Sequence, residues 1–597
     1  MTARKRSWYP LAGSTVAGTK RGAAPRASRA VARGPVPIDP LSSPRLAISG
    51  RVVTMNDAFD VIEDGVVYMA DGCIAAVRRK RDKAPDGFEG VAVVATRGTL
   101  YPGLIELHNH LSYNALPLWS PVPKLYEHRG QWPQHPDYRK LISGPMTVIG
   151  QHRDAQGQAA LLAPLVRYVE CKCLLGGVTT SQGIMLNSNA GVQRYYRGIL
   201  RNVENTDDPA LSEAQARIAD VDARDARAFL ARLNKEDSCF LLHLSEGVTP
   251  TGATTSQARK HFLALEVAPG EWAINDRLAA IHSAGLTADD FRVLGDNGGS
   301  MIWSPLSNLL LYGATARVDA ARAANVRIGI GSDWSPSGSK NLLGELKVAW
   351  LYSKHLLDGA FSARDLVAMA TRDAAAILKW EGALGSLEAG KRADLLVVGG
   401  TAGDPYEALV KARETSINLV MINGIARYGL PATMKALGAS GESFKVGGKT
   451  RTLFLEQATG DPDVAKLSLS AARTALKNAF RQLPDLARAI EEPPAMPAAR
   501  AARPAIDAPQ PLVWTLALDE IANTGMDQRP RLPFDGPRDF TGPSMQPASL
   551  GAPRLSSILA AVELDPLTVA DDRNFLARIA AEPNVPQAIR KGLASLY

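Results

Sequence analysis

Apolar residues along this chain fall into short runs, and many of the runs end on a polar residue. "LAISGRVVTM", "GVVYMADGCIAAV" and "VAVVATRGTL" are β-branched stretches separated by glycine and charged turns. They predict a small β-sheet domain from about 45 to 100. The same texture returns in "RADLLVVGG" and "INLVMINGIARYG". Sheet pieces on both sides of a central region predict one domain completed by both, 45–100 with 384–430. Between them, "GGVTTSQGI", "CFLLHLSEG", "RLAAIHSAG", "SMIWSPLSN" and "RIGIGSDWS" are apolar runs with polar ends. Helical patterns intervene, such as "EAQARIADVDARDARAFLARLN" and "ARDLVAMATRDAAAILKW". Alternating β and α reads as a parallel sheet, open or closed into a barrel. Six of its strands are clear. Between 184 and 238 the best strand candidate is "YYRGILRNVEN".

Beyond about 431 the pattern changes to a short apolar segment, two helical patterns, and a Pro/Ala-rich stretch at 491–512 that reads as a linker or wrap. Short helices are expected after it, in "LSSILAAVEL" and "DDRNFLARIAAE". No internal repeat is evident.

Composition changes this picture in three places. The hydrophobic fraction of 46% and mean hydropathy of −0.09 allow a large core. No stretch approaches the roughly 18 apolar residues of a membrane helix, and the basic N-terminus is followed by no apolar run, so neither a membrane nor a secretory signal is expected. The net charge of +8 is local: residues 1–38 hold eight Arg and Lys and no acid, and the rest has 60 bases against 60 acids. Residues 1–44 therefore read as an extended or disordered basic arm, a solubilising or subunit-contacting tail more than a nucleic-acid binder. Four cysteines in 597 residues are no disulfide framework. They read as core filler, and a cytoplasmic protein is expected.

The chemistry sits where apolar runs stop. "TLYPGLIELHNHL" ends on His108 and His110; "LLHLSEG" offers His243 and Glu246; "AAIHS" offers His282; "GIGSDW" offers Asp333. In parallel α/β folds, sites collect at the C-terminal ends of strands. Neutral imidazoles with a carboxylate are ligands for Zn²⁺ or Fe²⁺, and such a metal lowers the pKa of water from 15.7 to about 7. Glu246, three residues past His243, could shuttle a proton. A lone His-x-His is a weak signal; the ordered set carries the reading. Of nine histidines, four fall at strand ends in this order. His261 and His355 lie in helical patterns and read as surface. His128, His135 and His152 lie in a long insertion.

These residues resemble the amidohydrolase superfamily, in the branch holding cytosine and guanine deaminases, adenosylhomocysteine-type deaminases and triazine hydrolases. "PGLIELHNHL" resembles its first metal motif, PGxxxxHxH. "LHLSEG", "IHSAGLTADDFRVLGDNGGSMIWSPLSNLLLYG" and "RIGIGSDWSPSGS" are similar to its following motifs. "ATRDAAAILKWEGALGSLEAGKRADLLVV" matches its closing signature. The resemblance covers roughly 45–430. It implies a distorted (β/α)₈ TIM-like barrel at 101–383 with a composite β-sandwich, flanked here by the arm and by a C-terminal extension, 431–597, with no counterpart in the family core. It implies that His108, His110, His243 and Asp333 bind one divalent metal, zinc first and ferrous iron as the alternative. Asp333 would take the proton from water, Glu246 would carry it onward, and His282 would orient the water or polarise the scissile centre. Each proton-transfer role is worth typically 10²–10⁴-fold. No lysine suited to bridging two metals stands at a strand end.

The activity expected is hydrolysis of a non-peptide C–N bond of a small molecule. Deamination of an amino-substituted ring comes first and amide or cyclic-amide hydrolysis second. A non-catalytic barrel used as a binding module is the contrasting reading. A homo-oligomer is expected. The segment 111–150 departs from the family pattern and reads as a lid whose Tyr113, Trp119, Tyr126, Trp132 and Tyr138 could stack on a flat substrate. Trp303 and Trp334 suggest a pocket shaped by indoles, which weighs against a nucleobase-type substrate. Tyr113, Asn114, Trp119, Trp303, Asn308 and Trp334 are the substrate-contact candidates.

Overall fold

The β-branched runs form strands Leu46–Val53, Val61–Ala70, Cys73–Arg79 and Val93–Pro102. They join Leu395–Gly399, Ile417–Ile422 and Ile425–Gly429 from the far side of the chain in one nine-stranded sheet. The seam is Val93–Pro102, which pairs parallel with Leu46–Val53 and antiparallel with Leu395–Gly399. The sheet also continues past 430: the hairpin Glu442–Val446 and Lys449–Leu453 adds its last two strands. That apolar segment belongs to the sheet and not to a separate extension. The structure is a computed structural model and describes residues 43–188, 193–206, 208–217, 220–457, 461–492, 514–516 and 553–597. The basic arm and most of the Pro/Ala-rich stretch lie outside the described residues.

Two parallel ladders lie between the halves of that sheet. One holds β1 (Leu104–Glu106), β2 (Val178–Ser181) and β3 (Arg201–Asn202). The other holds β4 (Gln215–Arg217), β5 (Phe240–Leu244), β6 (Leu278–His282), β7 (Ser300–Trp303) and β8 (Arg327–Ile330). The ladders touch at two seams: Ala214 N–H donates to the Val203 carbonyl at 2.9 Å, and Asn109 bridges Asp333 in parallel. Two expectations are corrected here. The start of "EAQARIADVDARDARAFLARLN" is the strand β4, and its α-helix begins only at Ala226. Pairing with Phe240–Leu242 overrides the local helical pattern. In "YYRGILRNVEN" only Arg201–Asn202 joins a parallel ladder; Tyr195 and Tyr196 end the hairpin Ile184–Ser188/Gln193–Tyr196.

Side chains alternate across each strand. Ile105, Leu241, Ala279, Ile281 and Ile302 share one apolar cluster with Leu107, Val203 and the Ala374–Trp380 segment. Leu242, Leu244, Leu278, Ala280, Met301 and Trp303 belong to the other, outer cluster. Fully burying each of the Leu, Ile, Val or Met side chains among them contributes roughly 1.5–3 kcal/mol. The alternation puts Trp303 outside: its indole contacts Tyr352 and Phe361, and its Nε1–H donates to Thr315 Oγ1 at 2.8 Å. It is no substrate contact. His261 is buried, not on the surface, with Nδ1 3.2 Å from Asp220 Oδ1. His355 is exposed as expected. Cys171, Cys173 and Cys239 are buried, Cys73 is half-buried, and all four thiols are free.

The C-terminal residues cover two helices of the central region. Leu469–Arg481 packs on Leu162–Leu175, and Gln587–Leu596 packs on Leu342–Leu356. Strand Trp514–Leu516 pairs with Ile184–Ser188. Among the described residues, no helix is long and apolar enough to cross a membrane.

Candidate metal centre

Strand ends place the polar groups. His243 shares the parity of Leu241 and therefore the inner face of β5. β6 ends at His282 and β8 ends three residues before Asp333. His282 and Asp333 hold φ of 67° and 63°, and Ser245 and Ser283 are also left-handed. Non-glycine residues in this region cost of order 1–3 kcal/mol each, and such strain clusters at functional sites.

These turns bring the ring nitrogens together. Asp333 Oδ1 lies 3.2 Å from His108 Nε2 and 3.3 Å from His110 Nε2. His243 Nε2 lies 3.3 Å from His110 Nε2. Ligand atoms of His108, His110 and His243 all lie within 4.8 Å of one another, as do those of His108, His282 and Asp333. A tetrahedral ion with bonds of about 2.0–2.2 Å separates its ligands by about 3.3–3.6 Å. His108 Nε2 is buried and no hydrogen bond reaches it. An orphaned imidazole nitrogen in a ring of donors at that spacing fits one divalent cation.

The next layer of contacts fixes each ring. His108 Nδ1 faces Gln182 Oε1 at 3.3 Å, and His282 Nδ1 faces Asn308 Oδ1 at 3.0 Å. Each amide oxygen accepts the Nδ1 proton and leaves Nε2 for the site. Ser307 Oγ donates to Asp333 Oδ2 at 2.6 Å, leaving Oδ1 toward the histidines. Burial pushes the His108 imidazole down to about 4. Burial and then the neighbouring imidazoles hold His243 well below its ordinary range. Burial opposes ionisation of Asp333, but the adjacent imidazoles outweigh it and hold its carboxyl below the usual range. His108 and His243 are thus neutral imidazoles beside one carboxylate, the protonation state a metal needs.

Glu246 lies beside this cluster. Its Oε2 is 3.7 Å from His282 Nε2, and its Oε1 accepts from the Tyr312 hydroxyl at 2.7 Å. Trp132 Nε1–H donates in turn to the Tyr312 oxygen at 3.0 Å. One helix, Pro305–Tyr312, therefore serves three site residues. Pro305 opens it and Gly313, with φ 68°, ends it in the left-handed region. Asn308 and Tyr312 stand four apart, on one face. Sequence reading took "PLSNLLLYG" as a motif but assigned no role to Ser307 or Tyr312; the i, i+4 spacing of polar residues in an apolar helix was the available signal.

The segment 111–150 does cover the centre, but its aromatics pack on one another. Tyr113, Trp119, Tyr126, Trp132 and Tyr138 are all buried. Trp334 is the hub, with ring centroids of Tyr113 at 4.9 Å, Trp132 at 5.6 Å and His110 at 5.9 Å. Trp119 lies farther out, among Tyr126, His135 and Tyr138. Main-chain bonds clasp the segment to the site. Arg129 N–H donates to the Glu246 carbonyl at 3.2 Å, Val248 N–H to Glu127 at 2.8 Å, and Tyr126 N–H to Leu311 at 2.9 Å. Gly247 permits this approach: a Cβ there would meet the Glu127 carbonyl at 2.3 Å. Arg129 also ion-pairs with Asp220 at 2.6 Å. Two candidates turn out to be ties within the protein. Asn308 orients His282. Asn114 Nδ2 donates to Asn109 Oδ1 at 2.8 Å, and its Oδ1 accepts from Ser335 N–H at 2.9 Å.

Comparison with known proteins gives the same direction. The Amidohydrolase family model matches residues 99–426. The chain is 25% identical over 395 residues to 5-methylthioadenosine/S-adenosylhomocysteine deaminase of Symbiobacterium thermophilum, across 59% of this chain and 85% of that protein. It is 30% identical over 161 residues to S-triazine hydrolase of Gordonia rubripertincta, 25% of this chain and 36% of that one. The solved structure of an adenosine deaminase from Xanthomonas campestris with bound zinc aligns over 76% of this chain and all of that chain. Its TM-score is 0.50 at 19% identity, a likeness of fold.

Proposed function

Because this chain belongs to the amidohydrolase family, we propose that it deaminates an amino-substituted heterocycle: water adds at the ring carbon, the C–N bond breaks, and ammonia leaves. The observation that carries this is the convergence of His108, His110, His243 and Asp333 beside the paired Glu246 and His282. The relatives named as deaminases support it. These four ligands hold one divalent ion, zinc by its preference for imidazole and carboxylate, ferrous iron by the same donors. When bound, that ion lowers the pKa of water and polarises the scissile centre. Asp333, fixed by Ser307, accepts the proton of the attacking water. Glu246, held by Tyr312, carries that proton to the ring nitrogen, and the second water proton, lost as the carbonyl forms, passes to the departing amine so that it leaves as ammonia. His282, held at Nδ1 by Asn308, orients the attacking water by accepting from it at Nε2.

The fold part of the proposal is that β1–β8 close into a distorted eight-stranded barrel. The two seam contacts at Val203–Ala214 and Asn109–Asp333 support closure. The nine-stranded sheet curls into a composite sandwich of residues 45–100 and 384–453. Free cysteines throughout fit a cytoplasmic protein.

The test is metal-reconstituted protein against a panel of aminated heterocycles and N-acyl compounds, following ammonia and carboxylate release in parallel. Ammonia from a ring amine is the expected result. Carboxylate release alone would place the enzyme among amidases, and no release with a filled centre would end the proposal.

A further inference from the structure

The C-terminal segment 553–597 lies beyond the family match, which ends at 426. It nevertheless reaches the base of the candidate centre. Asp565, with its side chain 1% exposed, sits between two lysines that are equally buried. Its Oδ2 is 2.6 Å from Lys172 Nζ and its Oδ1 is 2.6 Å from Lys340 Nζ. Asp572 of the same segment takes Lys340 Nζ at 2.7 Å. Two buried lysines of the catalytic core are therefore neutralised by two acids from the tail.

Lys172 passes this contact on. Its Nζ also donates to the Asn114 carbonyl at 2.9 Å and to Ser335 Oγ at 2.7 Å. Ser335 is two residues past Asp333. Asn114 Nδ2 holds Asn109 Oδ1, between His108 and His110, and Asn109 N–H donates to Gln182, which faces His108. Asp565 N–H adds a second tie, to the Ala115 carbonyl at 2.9 Å. The two ligand-bearing loops thus meet on one ammonium, and that ammonium is held by a tail carboxylate.

We propose that Asp565 is a positioning residue for the metal centre, acting through Lys172 on the loops that carry His108, His110 and Asp333. The tail completes the catalytic face and is not an appended module. Without Asp565, Lys172 is a buried cation with only neutral acceptors, which is unfavourable in a low-dielectric site. Lys172 then shifts, and the Asn114–Ser335 junction loosens. Residues that hold ligands at one remove typically change metal affinity 10–100-fold; Asp565, one contact further out, belongs at the low end.

This inference rests on the metal centre of the proposed function, and its test separates the two. The full-length chain is loaded with cobalt(II), whose visible spectrum reports ligand geometry. Hydrogen exchange is followed in peptides covering 109–116 and 332–337. Asp565→Asn is expected to change the spectrum, to release cobalt to a chelator about tenfold faster, and to speed exchange in both peptides. Asp572→Asn, which leaves Lys172 untouched, is expected to keep the wild-type spectrum. Should Asp565→Asn fail to fold, Lys172→Met/Asp565→Asn removes both charges together and should show the same changes. A wild-type chain that takes up no cobalt counts against the proposed function, while exchange still tests the tie. Folded Asp565 variants with wild-type exchange, or with wild-type spectrum and release where cobalt binds, overturn the inference.

Discussion

Asp333 is tied to His108 across 225 residues of chain: its N–H donates to the His108 carbonyl at 3.0 Å, and this brings its Oδ1 to 3.2 Å from the unbonded His108 Nε2. The backbone bond sets the side-chain distance, so the ligand pair is preorganised by the seam between β1 and β8. Glu246 has no such tie to the ligands. The two carboxylates should therefore separate in mutagenesis. Glu246→Gln keeps stoichiometric metal and lowers turnover by about 10²–10⁴, whereas Asp333→Ala loses both. Metal content and ammonia release on the same preparations check this. Near-normal turnover in Glu246→Gln removes the shuttle role.

Tyr312→Phe deletes the hydroxyl that donates to Glu246 Oε1. A hydrogen bond to a charged acceptor is worth about 1.5–3 kcal/mol. Turnover should fall about tenfold or more with metal content unchanged. Steady-state kinetics with metal analysis decide it; a variant as fast as wild type shows that Glu246 is held without Tyr312.

Asn308→Ala removes the acceptor for His282 Nδ1 and leaves the ring free to turn. The expected loss is 10–100-fold in kcat with KM little changed, because the role is orientation. Asn308→Asp, which retains an acceptor, should recover part of it. Equal losses in both variants would argue for a packing effect alone.

Acid should weaken the metal-free protein through His108. An unfolded histidine takes up its proton near pH 6.5. In the folded chain, burial delays this until about pH 4. Between those values the unfolded state binds more protons, so stability falls as pH falls. From this one group the loss is about 3 kcal/mol. Urea midpoints at pH 7, 5.5 and 4.5 should drop less in His108→Asn than in wild type; parallel slopes would exclude His108 as the source.

Much of this site was readable because its ligands sit at strand ends, where burial forces a short apolar run and chemistry supplies the residue that stops it. His108, His110, His243, His282 and Asp333 needed only that rule and their order. The supporting groups were not legible in the same way. Tyr312, Ser307 and Asn308 lie inside an apolar helix, and only the crossing of that helix over the site turns them inward. Trp303 misled because one position of strand parity sends it to the outer layer. β4 was hidden because three residues are too few to show a period of two against a helical surround. His261 was taken for surface because its partner, Asp220, lies 41 residues away. The tail was silent because Asp565 matters only through a lysine some 390 residues earlier.

The strand Val93–Pro102 has a consequence for biosynthesis. One of its neighbours, Leu46–Val53, precedes it, but the other, Leu395–Gly399, is translated about 300 residues later. At about 5–20 residues per second, roughly 15–60 s pass before that partner emerges. For that interval a long apolar strand presents an open edge, the kind of surface that templates pairing between chains. Yield of this protein should therefore depend on the rate of elongation and on chaperones that shield the early sheet, more than on the stability of the finished fold.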